Sequence, residues 1–171
     1  MEVAPVPRRV AFVLGGGGDL GANEVGMLRA LLEHGIIPDL VLGASVGAMN
    51  GAAVAAEPSL AMVGRLEAAW RQLGREGVLD SPWQVAGNVI RGRSHLHSNL
   101  RLRAVVGRML PVTTFEQLAV PFQCVAASIE RAAEHWFSAG PLVDAILASS
   151  AVPGLLPVVE VGGEHFLDGG I

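Results

Sequence analysis

With 171 residues and 51% hydrophobic content, the chain is long enough for one domain with a substantial core. A net charge of −4 argues against a nucleic-acid partner, because nothing gives the whole chain a positive field. All 12 basic residues are arginines, so Schiff-base chemistry and the lysine of a phosphate-binding P-loop are excluded. In chain order, Val10 to Leu14 is a short apolar, β-branched run that ends in Gly15 to Gly18 and predicts a buried strand followed by a tight loop. Val25, Leu28, Leu31 and Leu32 then fall on one face of a predicted helix that Gly35 closes. Leu40 to Leu42 reads as the next strand, and Gly43-Ala-Ser45-Val-Gly47 turns the chain sharply into an Ala-rich helix ending near Ala56.

Pro58 to Leu73 carries Leu60, Val63, Leu66 and Trp70 at helical spacing, and Gly74 to Asn99 reads as an irregular surface excursion. Leu100 to Leu110 predicts a helix, Phe122 to Ile129 a strand, Glu130 to Phe137 a returning hairpin, and Leu142 to Ser149 a helix. Val158 to Leu167 predicts a hairpin around Gly162-Gly163. Strands alternating with helices imply a mostly parallel sheet covered by helices, in which ligands sit at the carboxyl ends of strands. Both glycine-rich loops, 15–18 and 43–47, fall at such ends.

Two stretches imitate targeting signals. Arg8-Arg9 before Val10 to Leu14 has too short an apolar run for a secretory core. Leu40 to Ala56 is free of charge and carries Gly43, Gly47 and Gly51 at membrane-helix spacing, but 17 residues with polar and glycine breaks sit at the lower limit for spanning. The lone Cys124 makes no internal disulfide, reads as a small core residue, and fits a reducing cytoplasm.

A serine hydroxyl is a poor nucleophile unless it is exposed, oriented and served by a base. Gly43-x-Ser45-x-Gly47 between strand and helix supplies the first two conditions, as in a nucleophile elbow. By composition alone the pattern has an expectation of roughly 0.15 occurrences, so its weight comes from the strand–turn–helix context. Consecutive amides at Gly15, Gly16, Gly17 and Gly18, before a helix, make a candidate oxyanion hole. Gly16-x-Gly18-x-x-Gly21 is also formally a dinucleotide fingerprint, but its acid, Asp39, precedes the second strand, whereas that fold wants one at the strand's end.

The base is not an obvious histidine. His34 reads as a helix-end residue, His95-x-His97 offers two metal ligands at most, and His165 alone lies near a plausible site element. Asp168 emerges from the predicted hairpin into Gly169-Gly170 and is the stronger candidate, against its alternative as an ordinary turn aspartate. No metal or cofactor is expected.

Val13-Leu-Gly-Gly-Gly-Gly-Asp-Leu-Gly21, Gly26-Met-Leu-Arg-Ala-Leu with Gly35-Ile-Ile-Pro-Asp39, Gly43-Ala-Ser45-Val-Gly47, Ala148-Ser-Ser-Ala-Val-Pro153-Gly-Leu-Leu-Pro157 and Asp168-Gly-Gly170 together resemble the patatin-like phospholipases. The resemblance runs from residue 10 to 171 in the family's order. It implies a three-layer α/β/α fold with a mostly parallel central sheet, and a Ser45–Asp168 dyad that cleaves lipid or fatty-acyl esters through an acyl-enzyme, with Gly15 to Gly18 holding the oxyanion. It further implies one catalytic domain over 1–171, cut short at its carboxyl end, acting in the cytoplasm or at a membrane surface. The competing expectation is a catalytically impaired lipid- or acyl-binding module of the same fold.

Two departures bear on this. Leu20 stands where the family usually carries Arg or Lys, and Asp19 before it reads as a helix N-cap or as a carboxylate pointing into the anion site. Arg91, Arg93, Arg101, Arg103 and Arg108, interspersed with Leu96, Leu100 and Leu102, read as a solvated face or as a contact for anionic lipid heads. Trp70, Trp83 and Trp136 read as packing residues.

Overall fold

A computed structural model of the chain describes residues 9–76 and 98–171. Strand β1 (Ala11–Leu14) buries Phe12 and Leu14 on one face, as alternation along a strand requires. Helix α1 (Gly21–Glu33) buries Val25, Leu28 and Leu32. It stops where Gly35 takes φ 71°: the Gly35 amide bonds the Leu32 carbonyl and the Ile36 amide bonds that of Leu31, a Schellman closure. His34 occupies the cap just before it, with Nδ1 2.8 Å from the Ala30 carbonyl oxygen.

Strand β2 (Leu40–Ala44) runs parallel to β1 and leads into helix α2 (Val46–Ala56). Every residue from Gly47 to Ala55 is buried, so α2, apolar except for Asn50, sits at the centre of the fold. Helix α3 (Leu60–Glu76) packs on α1 through Met62, Val63 and Leu66, and α4 (Leu100–Met109) buries Leu102, Val106 and Met109. Contrary to the irregular excursion expected from Gly74 onward, α3 continues through Gly74 to Glu76, since an interior glycine costs a helix only about 1 kcal/mol. Arg91, Arg93, His95, His97 and Trp83 lie outside the described residues.

Strands β3 (Phe122–Ser128) and β4 (Ala133–Phe137), helix α5 (Leu142–Ser149), and the hairpin of β5 (Val159–Val161) and β6 (Glu164–Asp168) complete the chain. β1, β2 and β3 are parallel, while β4, β6 and β5 join antiparallel, giving the mixed sheet flanked by helices of an α/β fold. Phe12, Val41, Cys124 and Phe166 share the face against which α2 and α5 pack.

The way β3 is shared decides where the site forms. β4 occupies one of its edges along Cys124–Ser128. The other edge is divided: β2 pairs with residues 122–125, and β6, arriving from the opposite direction, pairs with residues 126–128. The two strands therefore meet head-on, Ala44 opposite Val125 and Asp168 opposite Ala126. Among the described residues no helix is long and apolar enough to cross a membrane.

Candidate functional site

Ser45 sits where β2 ends and α2 begins, with φ 54° and ψ −123°. A side chain costs energy in that conformation, and such strain persists only where the surroundings impose it. They do so here through close approach. A Cβ on Gly47 would overlap the carbonyl oxygens of Leu14 and Gly15, and one on Gly43 would sit 2.6 Å from the Ala48 Cα. Both glycines of the G-x-S-x-G pattern thus let α2 start directly against β1 and β2.

Asp168 reaches the same place from the other side. Ala126, its partner on β3, lies on the face of Cys124, whose own partner Gly43 faces α2, so the Asp168 carboxylate is on the α2 side. It is 4% exposed. Oδ1 accepts the Gly170 amide at 2.7 Å, while Oδ2 is buried without a hydrogen-bond partner among the described residues. Leaving such an atom unsatisfied costs about 1–3 kcal/mol, so its presence calls for a reason. Gly169 lies so close over Val125 that a Cβ there would overlap the Val125 carbonyl oxygen.

A third segment ties the two together. Ser149, the last residue of α5, is fully buried; its Oγ accepts the Ser45 amide at 2.9 Å and its carbonyl accepts the Gly169 amide at 3.2 Å. The Ala151 carbonyl accepts the Asp168 amide at 3.0 Å. The sequence pattern Ala148-Ser-Ser-Ala pointed at this segment without giving it a role. A serine closing the apolar run Ala145 to Ala148 is the signal that could have done so.

Gly15 to Gly18 are exposed at the end of β1, and the loop lies against the elbow: a Cβ on Gly16 would be 3.3 Å from the Ser45 Cβ. Gly18 (φ 55°) starts a short 3-10 turn through Leu20 that leads into α1. Asp19 is not the helix cap that the sequence suggests. The turn pushes the start of α1 to Gly21, Leu20 takes the cap position, and no side chain bonds the end. Leu20 itself is 69% exposed.

Beside Ser45 opens a cavity of about 330 Å³. Its walls are largely apolar, with Val46, Met49, Trp70, Leu73, Leu102 and Leu156 among them, and Gly18 and Asp19 stand next to Ser45. Trp70 is fixed by a polar network that the sequence did not reveal. Its indole N–H donates to Oδ1 of the fully buried Asn50 at 2.9 Å, and Asn50 Nδ2 donates to the Gly21 carbonyl at 2.9 Å and to Glu24 at 2.8 Å.

The remaining sequence candidates lie elsewhere. Asp39 Oδ2 accepts the Val10 amide at 2.7 Å at the amino end of β1, away from the glycine loop, where no ribose bound at that loop could meet it. His165 is exposed and pairs with Glu130 at 2.7 Å. Cys124 is buried, which pushes its thiol up to about 12 and leaves it unreactive. Arg103 is engaged with Asp144 at 2.6 Å.

The family model for patatin-like phospholipases matches residues 12–171. An uncharacterized NTE family protein of Mycobacterium tuberculosis is 36% identical over 168 residues, covering 95% of this chain and 43% of that protein. The lysophospholipase nte1 of Aspergillus terreus is 31% identical over 164 residues, covering 95% of this chain and 10% of its own length. VipD from Legionella pneumophila superposes with a TM-score of 0.59 at 17% identity over 96% of this chain and 46% of VipD, a likeness of fold. The chain thus spans less than half the length of each of these three proteins. With its α/β fold and a match covering nearly its whole length, the chain belongs to the patatin-like phospholipase family.

Proposed function

We propose that this chain is the catalytic domain of a serine acyl hydrolase that cleaves carboxylic esters of lipids, with Ser45 as nucleophile and Asp168 as base. The observation that carries the reading is the head-on meeting of β2 and β6. Ala44, the residue before the strained Ser45, and Asp168, with its unpartnered buried Oδ2, pair with the successive β3 residues Val125 and Ala126.

In this reading Asp168 Oδ2 takes the Ser45 hydroxyl proton as Oγ attacks the ester carbonyl. Amides of the Gly15–Gly18 loop, at the positive end of the turn and helix that follow, stabilise the oxyanion. The tetrahedral intermediate collapses, and the departing alcohol receives the proton from Asp168. Water, deprotonated by the same carboxylate, then releases the fatty acid and restores Ser45. The apolar cavity receives the acyl chain, consistent with the name of the lysophospholipase nte1 of Aspergillus terreus. A reducing cytoplasm, with contact at a lipid surface, suits the single buried Cys124 and an insoluble substrate.

A fluorophosphonate probe followed by peptide mapping tests the assignment. Label is expected on Ser45 and is lost in Ser45→Ala. Asp168→Asn is expected to lower ester hydrolysis about 10³-fold with little change in melting temperature, because its remaining side-chain oxygen can still accept the Gly170 amide and the oxygen it replaces has no hydrogen-bond partner among the described residues. Folded protein that takes no label at Ser45 would sink the reading. One observation, Asp19 on the cavity wall beside Ser45, favours the second reading of a lipid-binding module without turnover. A carboxylate held toward the loop amides would oppose the developing oxyanion. Acyl-ligand binding by protein that resists the probe would support it.

A further inference from the structure

Asp19 is the one ionisable side chain among the described residues that line the cavity beside Ser45. It is exposed, it forms no helix cap, and it takes part in none of the ion pairs among the described residues. The next residue, Leu20, is a 69% exposed apolar side chain, and the other cavity walls are apolar or carry neutral hydroxyls at Ser45 and Ser150. With an ester carbonyl at Ser45, Asp19 is the one charged side chain of the lining, among the described residues, that a substrate's alcohol part can meet.

From this arrangement we infer that Asp19 is a specificity-determining residue. It selects acyl esters whose alcohol part is neutral or cationic near the ester, and rejects those with an anionic group, such as a phosphate monoester, close to it. The inference rests on the acyl-hydrolase reading of the same cavity. Its physical basis is Coulomb repulsion at the rim of an apolar cavity. At a separation of several ångströms and partial screening, two like charges lose about five- to tenfold in affinity or rate. No compensating cation lines the cavity among the described residues. Monoacylglycerol and its phosphate share the acyl and glycerol portions, and Asp19→Asn together with salt separates the charge of the phosphate from its bulk.

The test compares kcat/KM for three esters of one fatty acid: the monoacylglycerol, the acylcholine and the monoacylglycerol phosphate. The native protein is expected to prefer the first two over the phosphate. Asp19→Asn is expected to shrink the ratio of neutral to anionic substrate about fivefold, and raising salt is expected to shrink it in the native protein alone. An unchanged ratio in Asp19→Asn overturns the proposal. So does an equal gain on all three esters, which would mean that the carboxylate acts on the oxyanion rather than on the alcohol part. If folded protein hydrolyses none of them, the acyl-hydrolase reading has failed separately. The charge filter is then read from binding, with decyl phosphate expected to bind less tightly than decyl glycerol ether and Asp19→Asn expected to close the gap. Equal binding of the two ligands by the native protein overturns it there.

Discussion

The Ser45 backbone amide donates to the Ser149 hydroxyl at 2.9 Å, and the carbonyl of the same Ser149 receives the Gly169 amide. One buried residue at the end of α5 therefore fixes both the elbow after β2 and the glycine turn after β6. It touches neither the hydroxyl of Ser45 nor the carboxylate of Asp168 in any hydrogen bond described, so under the proposed function it is a positioning residue.

Ser149→Ala removes the acceptor and leaves the Ser45 amide buried and unpaired, which costs about 1–3 kcal/mol. The melting temperature is expected to fall by a few degrees for each kcal/mol. Under the proposed chemistry kcat is expected to fall about tenfold with KM nearly unchanged, because a misplacement of the nucleophile is felt in the transition state. Steady-state kinetics on a neutral ester together with a thermal melt checks this. A matching rise in KM would mean that Ser149 shapes the cavity instead.

Two glycine substitutions should act in opposite directions. Gly47→Ala drives a methyl into the carbonyls of Leu14 and Gly15, backbone atoms that cannot yield without parting α2 from β1. A loss of about 3 kcal/mol or more is expected, at the upper end of overpacking effects. Gly64 lies on the exposed side of α3 with open space at its Cβ position, so Gly64→Ala is expected to add about 0.5–1 kcal/mol. Urea titrations of both variants beside the native chain measure the pair.

The exposed pair of His165 and Glu130 makes a pH-dependent contribution of defined sign. The hydrogen bond between them, aided by charge attraction, raises the His165 pKa, and the bonds Glu130 accepts from His165 hold its carboxyl low. The histidine's share is complete below its ordinary value of 6.5 and is lost as pH rises through the raised value. The glutamate's share is complete above 4.5 and is lost as pH falls through the lowered one. The pair therefore contributes fully between those two ordinary values. Glu130→Gln is expected to return the His165 titration toward 6.5 in an NMR pH series, with the largest stability change between pH 4.5 and 6.5, where both shares are complete.

The elbow was legible because its determinants are local: an apolar strand, Gly43-x-Ser45-x-Gly47, and an Ala-rich helix adjoin in sequence. The same holds for Gly35, whose placement after a periodic run marks a helix end. Asp168 was legible only as a carboxylate entering a glycine turn; that its strand ends against the end of β2 depends on how β3 divides one edge between β2 and β6, which no local pattern encodes. Ser149 was hidden inside an apolar motif, since its importance lies in bonds to residues far along the chain. Of the two readings of Asp19, the N-cap failed because a capping preference holds only if the helix begins next to it. The 3-10 turn moved that beginning to Gly21.

The divided edge of β3 also bears on how the chain acquires its site. β2 and β6 belong to distant parts of the sequence, and their ends meet only once both have paired along the same edge of β3. Contacts of such long range carry a high loop-closure cost and form late. Under the proposed function, the approach of the Ser45 elbow to Asp168 is then expected among the last features to appear during refolding and among the first to vanish on partial unfolding. Probe reactivity at Ser45 would consequently report the assembled state of the sheet more faithfully than helix content does.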